Sequence, residues 1–187
     1  AIDALKKKVI YIETRNLNNY DQYIHLFAKV GFRLVPHLNF HVDCTDMAAM
    51  KKRMSSSKLR QVKKSLKTGA EIIEAESCDE IRAYYTILLE LYTTKVKTPL
   101  PDQDFFLNLW KNNTARFFLI RYQEEIIGGI VCPVFMNKVI YEWFVCGKDG
   151  VYKNIYPSVL ATWAAMQFGA ENNIPRFDFM GAGKPDE

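Results

Sequence analysis

"ARFFLIRYQEEIIGGIVCPVFMNKVIYEWFVC", residues 115–146, is the stretch that decides the fold. Three runs rich in β-branched and aromatic residues, ARFFLIRY, EIIGGIVCPVF and KVIYEWFVC, are joined at QEE and MNK. Such runs suit a pleated, half-buried surface, and joints this short predict a meander of three antiparallel strands. Gly128-Gly129 in the middle run predicts a bulge or a close approach by another backbone.

Helical and strand signals alternate outward from this core. On the C-terminal side, "YPSVLATWAAMQFGAENN" (156–173) predicts a helix with Pro157 at its first turn, where a missing N–H costs little. "RFDFMG" (176–181) closes as a strand. On the N-terminal side, "TPLPDQDFFLNLWKNN" (98–113) predicts a turn and then a helix that buries Phe105, Phe106, Leu109 and Trp110. Before it, Ser77-Cys78-Asp79-Glu80 has the spacing of a capping box, and Ile81, Tyr84, Tyr85, Leu88 and Tyr92 recur at helical spacing as a core stripe. "AEIIEAES" (70–77) predicts a strand. In "SKLRQVKKSLKTGAEI" (57–72), Ser55, Ser56 or Ser57 caps a helix that Gly69 ends. Leu59, Val62 and Leu66 share one face of it, and Lys58, Arg60, Lys63, Lys64 and Lys67 occupy the others.

The first 45 residues read as strand, helix, strand. These are "VIYIETRN" (9–16), "YDQYIHLFAKVGF" (20–32, with Tyr20, Ile24, Phe27 and Ala28 on one face and Gly31 at the end) and "RLVPHLNFHVDC" (33–44). Pro36 makes the last of these an edge strand or a bent one. An opening this small cannot bury a core by itself.

With 187 residues, 49% of them hydrophobic, the chain holds one domain, or one and part of another, around a sizeable core. The net charge of +4 is too small to announce a nucleic-acid binder, but its distribution is uneven. Residues 51–67 are basic with no acid, and 71–80 are mostly acidic. No apolar run approaches the roughly 20 residues of a membrane-spanning helix, and no signal peptide is visible. The missing initiator Met and abrupt end read as a piece of a longer protein. Cys44, Cys78, Cys132 and Cys146 have neither C-x-x-C spacing nor histidine company and are expected to be free thiols. His25, His37 and His41 are expected to be structural or solvated, and no metal site is expected.

From residue 70 the order of elements is strand, helix, helix, three antiparallel strands, helix, strand. That is an α/β (α+β layered) arrangement. It resembles the GNAT acyltransferase fold and, more narrowly, the FemAB-like aminoacyltransferases. The resemblance rests on "SSSKLRQVKKSLKTGAEI", "YYTILLELYTTKVKTPLPDQDFF", "RFFLIRYQEEIIGGIVCPVF", "YPSVLATWAAMQFGAENN" and "RFDFMGAG", from about residue 50 to the end. It implies a mixed, mostly antiparallel sheet that splays after its fourth strand, with the next helix presenting its N-terminus to a donor pyrophosphate. Acyl-CoA members carry a Gln/Arg-x-x-Gly-x-Gly/Ala loop there. In this chain Gly147 and Gly150 come too early, and the turn is Asn154-Ile155-Tyr156-Pro157, whose proline offers no N–H. The CoA cradle is therefore expected to be degraded or absent.

The family usually has two GNAT-like domains. Residues 1–46 would then be the tail of the first, and residues 47–187 a C-terminally incomplete second. The implied activity is transfer of an aminoacyl group from charged tRNA to an amine of a lipid-linked peptidoglycan precursor, in bacterial cross-bridge synthesis. The implied partners are charged tRNA and that precursor at the membrane surface. This implies a cytoplasmic protein able to sit peripherally at the inner membrane face, with no bound cofactor. The alternatives are an acyl-CoA-dependent GNAT N-acyltransferase, or a non-catalytic GNAT-like binding module.

Within that frame, the candidate catalytic residues are Glu142 and Asp178. Glu142 lies among apolar neighbours in "IYEWF", where a charge is costly unless paired or facing a cleft. It reads as a catalytic carboxylate or as a salt-bridged edge residue. Asp178 alternates with Phe177 and Phe179, so it is catalytic or hydrogen-bonded to the neighbouring helix. The candidate substrate-binding residues are Tyr156 at the helix start, Lys95 toward the acceptor, and Arg60, Lys63, Lys64 and Lys67. Those four cations read either as a phosphate surface acting through counterion release or as a solvated face.

Overall fold

In the computed structural model the described residues are 2–5, 7–14, 21–181 and 183. The chain divides into two compact units, residues 1–37 and 38–187. The first holds α1 (Ile2–Leu5), a 3-10 turn (Asp21–Tyr23) and α2 (Ile24–Lys29). The chain leaves α2 through Gly31 at φ +88°, as its position predicts. The strand expected over 9–16 does not form over 9–14; Arg15 and Asn16, like Tyr20 of the expected helical face, lie outside the described residues. Ile10 is 98% exposed. An alternating run forms a strand only when a neighbouring strand takes up its backbone hydrogen bonds, and among the described residues no strand pairs with this run.

The second unit begins with β1 (His41–Asp43), the surviving part of the strand expected over 33–44. Next comes α3 (Met47–Arg53), a helix the sequence reading missed, capped by Asp46 through the N–H groups of Ala48 and Ala49. The cationic helix is α4 (Ser56–Lys67), capped by Ser55. It buries Val62 and Ser65, whereas Leu66 is 44% exposed, so the expected apolar face is corrected by one residue. After β2 (Glu71–Glu74) comes α5 (Cys78–Leu91), which starts with both halves of the Ser77–Glu80 capping box in place. A π-helical turn (Tyr92–Val96) follows, then α6 (Gln103–Lys111). α6 buries Phe106 and Leu107; Phe105, Leu109 and Trp110 are only partly buried, a second correction of the expected face.

The meander forms as β3 (Ala115–Tyr122) and β4 (Glu125–Phe135), but its third run is broken at Glu142-Trp143 into β5 (Val139–Tyr141) and β6 (Phe144–Gly147). α7 (Pro157–Glu171) and β7 (Arg176–Asp178) complete the unit. The sheet order is β1-β7-β5-β4-β3-β2, with β6 also on β4. β5 and β7 are parallel and every other pair is antiparallel, and β1 lies at the edge. A register shift opposite Ile120/Arg121 leaves Ile127 as the bulged residue of β4, beside Gly128.

α7 is apolar around its circumference and is buried between the sheet and the α3–α4 layer. α5 and α6 cover the opposite face, where Tyr84, Phe106, Phe117 and Phe144 pack edge to face. The two halves of the broken run set up the site. β5 pairs with both β4 and β7, whereas among the described strands β6 pairs with β4 alone. The sheet therefore splays where β5 gives way to β6.

Candidate active site

The last bond that closes the splay is the Glu142 N–H to the Asp178 carbonyl, 2.9 Å. One residue on, the Trp143 N–H turns back to the Val131 carbonyl at 3.1 Å. Glu142 thus sits at the fork, and its side chain turns toward α7. There Thr162 donates to Oε1 at 3.5 Å, while the buried Oε2 has no hydrogen-bond partner among the described residues. Burial pushes this carboxyl up to about 7, against which the Thr162 hydrogen bond is the smaller, opposing influence. Glu142 is therefore not the salt-bridged edge residue the sequence allowed. It is a carboxyl poised to hold or release a proton near neutrality.

Asp178 lies beside Glu142 across the fork, but its side chain is on the other face of the sheet. Phe177, its neighbour, and Ile140, paired with Phe177, belong to the core under α7. Asp178 pairs in register with Tyr141 and His41. It is 2% exposed, and its carboxylate accepts from Asn39 Nδ2 (2.8 Å), His41 Nε2 (3.0 Å) and the Met180 N–H (2.7 Å). The expected bond to a neighbouring helix is replaced by bonds to β1, the segment before it and the following turn. The two candidate carboxylates are not brought together on one face.

The start of α7 is closed by its own chain. Tyr156 is the N-cap residue, with no side-chain cap bond, and its N–H donates to the buried hydroxyl of Ser65 on α4 at 3.0 Å. Pro157 has no N–H, and the Ser158 N–H is directed at the Asp149 carboxylate at 3.4 Å. Pro157 packs directly on the glycines of the sheet. A Cβ on Gly128 would lie 2.8 Å from the Pro157 Cβ, and one on Gly147 would lie 2.7 Å from the Ser158 nitrogen. Gly128 and Gly147 face each other across β4 and β6, so their bare backbones let the helix end approach the sheet.

The cationic stripe lies beside this helix start. Lys64 Nζ reaches Asn154 Oδ1 at 3.4 Å, two residues before Tyr156. An open recess of about 440 Å³ runs along the stripe, lined by Ser56, Leu59, Arg60, Lys63, Lys64 and Lys67. All four cations are exposed, and among the described residues no carboxylate pairs with them. Lys95 is exposed on the π-helical turn after α5, whose contacts are with the opposite face of the sheet. The structure therefore joins Tyr156 to the α4 stripe and puts Glu142 farther along the same helix. Six residues separate Tyr156 from Thr162, about 9 Å of helix rise. Lys95 and Asp178 belong to the other side.

The sequence reading missed Thr162, Ser65 and Asp149. Thr162 and Ser65 are single hydroxyls on otherwise apolar helix faces, which was the available signal. The Asp149 contact depends on a loop fold with no sequence mark. All four cysteines are free. Burial pushes the Cys44 thiol up to about 11 and likewise raises Cys132 and Cys146, which keeps them protonated and poor nucleophiles. Among the described residues no helix is long and apolar enough to cross a membrane.

Residues 51–186 match the model of a family described as an acetyltransferase (GNAT) domain. No curated protein matches the sequence. Among solved structures the fold recurs in FemX, with TM-score 0.71 and 9% identity over 89% of this chain and 61% of that one. It recurs in L-PGS from Bacillus licheniformis, with TM-score 0.65 and 16% identity over 89% of this chain and 53% of that one. It recurs again in the C-terminal domain of a lysylphosphatidylglycerol synthetase from Agrobacterium fabrum, with TM-score 0.63 and 14% identity over 87% and 52%. The chain thus spans between 52% and 61% of the length of these structures.

Proposed function

The chain belongs to the GNAT acetyltransferase domain family, and on that premise we propose that it is the transfer module of an aminoacyltransferase that takes its acyl group from charged tRNA. The acceptor is an amine of a lipid-linked peptidoglycan precursor. The observation that carries this reading is the α7 start. The N–H groups that would hold a CoA pyrophosphate are absent at Pro157 or engaged by Ser65 and Asp149. The cationic α4 stripe reaches that same helix end through Lys64, which bonds Asn154. A polyanion gripped by side chains, with counterions released on binding, fits this surface better than a pyrophosphate gripped by backbone. The fold shared with FemX and the two synthetases agrees with such a donor.

In this reading the acceptor nitrogen attacks the ester carbonyl of the donor, the C–N bond forms and the C–O bond to the RNA breaks. Glu142, protonated near neutrality, gives its proton to the departing oxygen, and Thr162 fixes the carboxyl that carries it. Tyr156, Arg60, Lys63, Lys64 and Lys67 contact the donor, and Lys95 contacts the acceptor from the opposite side. The half-length coverage supports two GNAT-like halves in the whole protein; the pairing of β1 with β7 moves the boundary from the expected 46/47 to before β1, so that residues 38–187 form most of the second half.

The test offers the full-length protein charged tRNAs and, separately, acyl-CoAs, each with lipid-linked precursor, and reads the precursor by mass spectrometry. A residue mass gained only with tRNA is expected. A mass gained only with acyl-CoA would replace this reading by a CoA-dependent N-acyltransferase. Binding of tRNA or precursor with no transfer from either donor would make the chain a non-catalytic module.

A further inference from the structure

The face of the sheet that carries Asp178 holds an arrangement that the donor-side chemistry leaves unused. Asp178 accepts hydrogen bonds from three directions and is almost completely buried, so its carboxylate does not itself reach a substrate. His41 does, since its side chain is 42% exposed. His41 Nε2 lies 3.0 Å from the Asp178 carboxylate and 3.2 Å from Asn39 Nδ2; the amide donates to the other Asp178 oxygen at 2.8 Å, and an ionised carboxylate only accepts, so the shorter contact assigns the proton to Nε2. The lone pair is then on Nδ1, which has no partner among the described residues. A histidine with one nitrogen fixed by a buried carboxylate and the other free is the arrangement that takes protons in general-base catalysis. Asp178 is also joined to the fork of the sheet through the Glu142 N–H, so the histidine stands one strand away from the splay.

We propose that His41, oriented by Asp178, is the base that removes a proton from the acceptor ammonium before acyl transfer. His41 would be the catalytic residue and Asp178 a positioning residue. The inference rests on the acyl-transfer reading above. The acceptor's ammonium loses one proton to Nδ1 and becomes a nucleophilic amine. After the C–N bond forms, Glu142 protonates the leaving oxygen, the nitrogen's second proton restores the Glu142 carboxyl, and the imidazolium returns its own proton to water. The fork then has an acid on one face, Glu142, and a base on the other. The ionisable groups facing His41 are Asp178 on β7, Tyr141 beside it on β5, and the next pair along the same face, Asp43 with Arg176. Arg53 sits on Asp43 at 3.6 Å.

The test compares wild type with His41→Gln and Asp178→Asn in the full-length protein, using the donor that supports transfer. Two acceptors are needed: the lipid-linked precursor, whose amine is an ammonium at neutral pH, and hydroxylamine, which is already neutral. With the precursor, His41→Gln should lose about 10²- to 10⁴-fold in kcat/KM and the acidic limb of its pH profile. With hydroxylamine its rate should match wild type, which also shows that the variant is folded. Asp178→Asn should fall in the same direction and keep the acidic limb. Equal losses with both acceptors would overturn the proposal, as would an unchanged rate with the precursor, and both leave acyl transfer standing. No transfer by wild type from tRNA or CoA donors would overturn the acyl-transfer reading and this base with it.

Discussion

Glu142 and Asp178 are neighbours at the fork of the sheet, yet they live under opposite rules. On the α7 face, Glu142 is buried with one weak hydroxyl contact and one oxygen that has no partner among the described residues, so the lost water is not replaced and its carboxyl rises to about 7. On the other face, Asp178 is buried more deeply but accepts from an amide, an imidazole and a backbone N–H. Burial alone does not decide what a carboxylate does. The donors around it decide whether it is a structural anchor or a group free to trade a proton.

Four experiments break or sharpen that contrast, taken from the largest expected effect to the smallest. Glu142→Gln should reduce transfer by about 10²- to 10⁴-fold, because the amide keeps the shape but cannot deliver the proton. A rate within a few-fold of wild type, measured by single turnover, would remove Glu142 from the chemistry. Asp178→Ala should cost roughly 3 kcal/mol of unfolding free energy in urea, since it strands the Asn39 amide and the Met180 N–H. A much smaller loss would mean that the turn re-satisfies itself.

The third experiment reads Glu142 as a stability group. Its folded value of about 7 stands above the ordinary 4.5, so the folded state holds the proton more tightly than the unfolded one. The stability tied to the neutral carboxyl is complete below pH 4.5, is lost progressively up to pH 7, and levels off above. Glu142→Gln should therefore be more stable than wild type by roughly 2–3 kcal/mol at pH 8 and no more stable at pH 4. A constant difference across that range would show that the carboxyl does not titrate as described. The smallest effect concerns the α4 stripe on the same side. Lys63→Ala with Lys67→Ala should flatten the dependence of log K on log salt for tRNA binding by about 1 to 2. No change would make the stripe a solvated face.

Where the sequence carried a local signal, it was sufficient. The S-x-x-E spacing at Ser77 and the aromatic stripe behind it specify α5, and the β-branched runs between QEE and MNK specify β3 and β4, because capping and alternation are written within a few residues. The layered GNAT architecture followed from their order. What failed was non-local. Residues 9–14 alternate like a strand, but among the described residues no strand pairs with them. The third run looks continuous, and only its competing partners, β4 and β7, break it at Glu142. Ser65 displaces Leu66 from the buried face because a helix start 91 residues away needs an acceptor. Asp178 was legible as polar on an apolar strand, but its partners on β1 and in the segment before it come from 137 and 139 residues earlier. His41 looked idle for the same reason.

The contact of Pro157 with Gly128 and Gly147 has one more consequence. In a protein that closes a helix end on a phosphate, the last order at the site arrives with the ligand, and part of the binding energy is consumed in creating it. Here the corresponding end of α7 is fastened during folding, by a proline seated on bare backbone and by side chains from α4 and a loop. The donor meets a finished wall. Its affinity then depends on what it touches outside that wall and little on rearrangement within, and amide exchange at the first turn of α7 should be as slow without donor as with it.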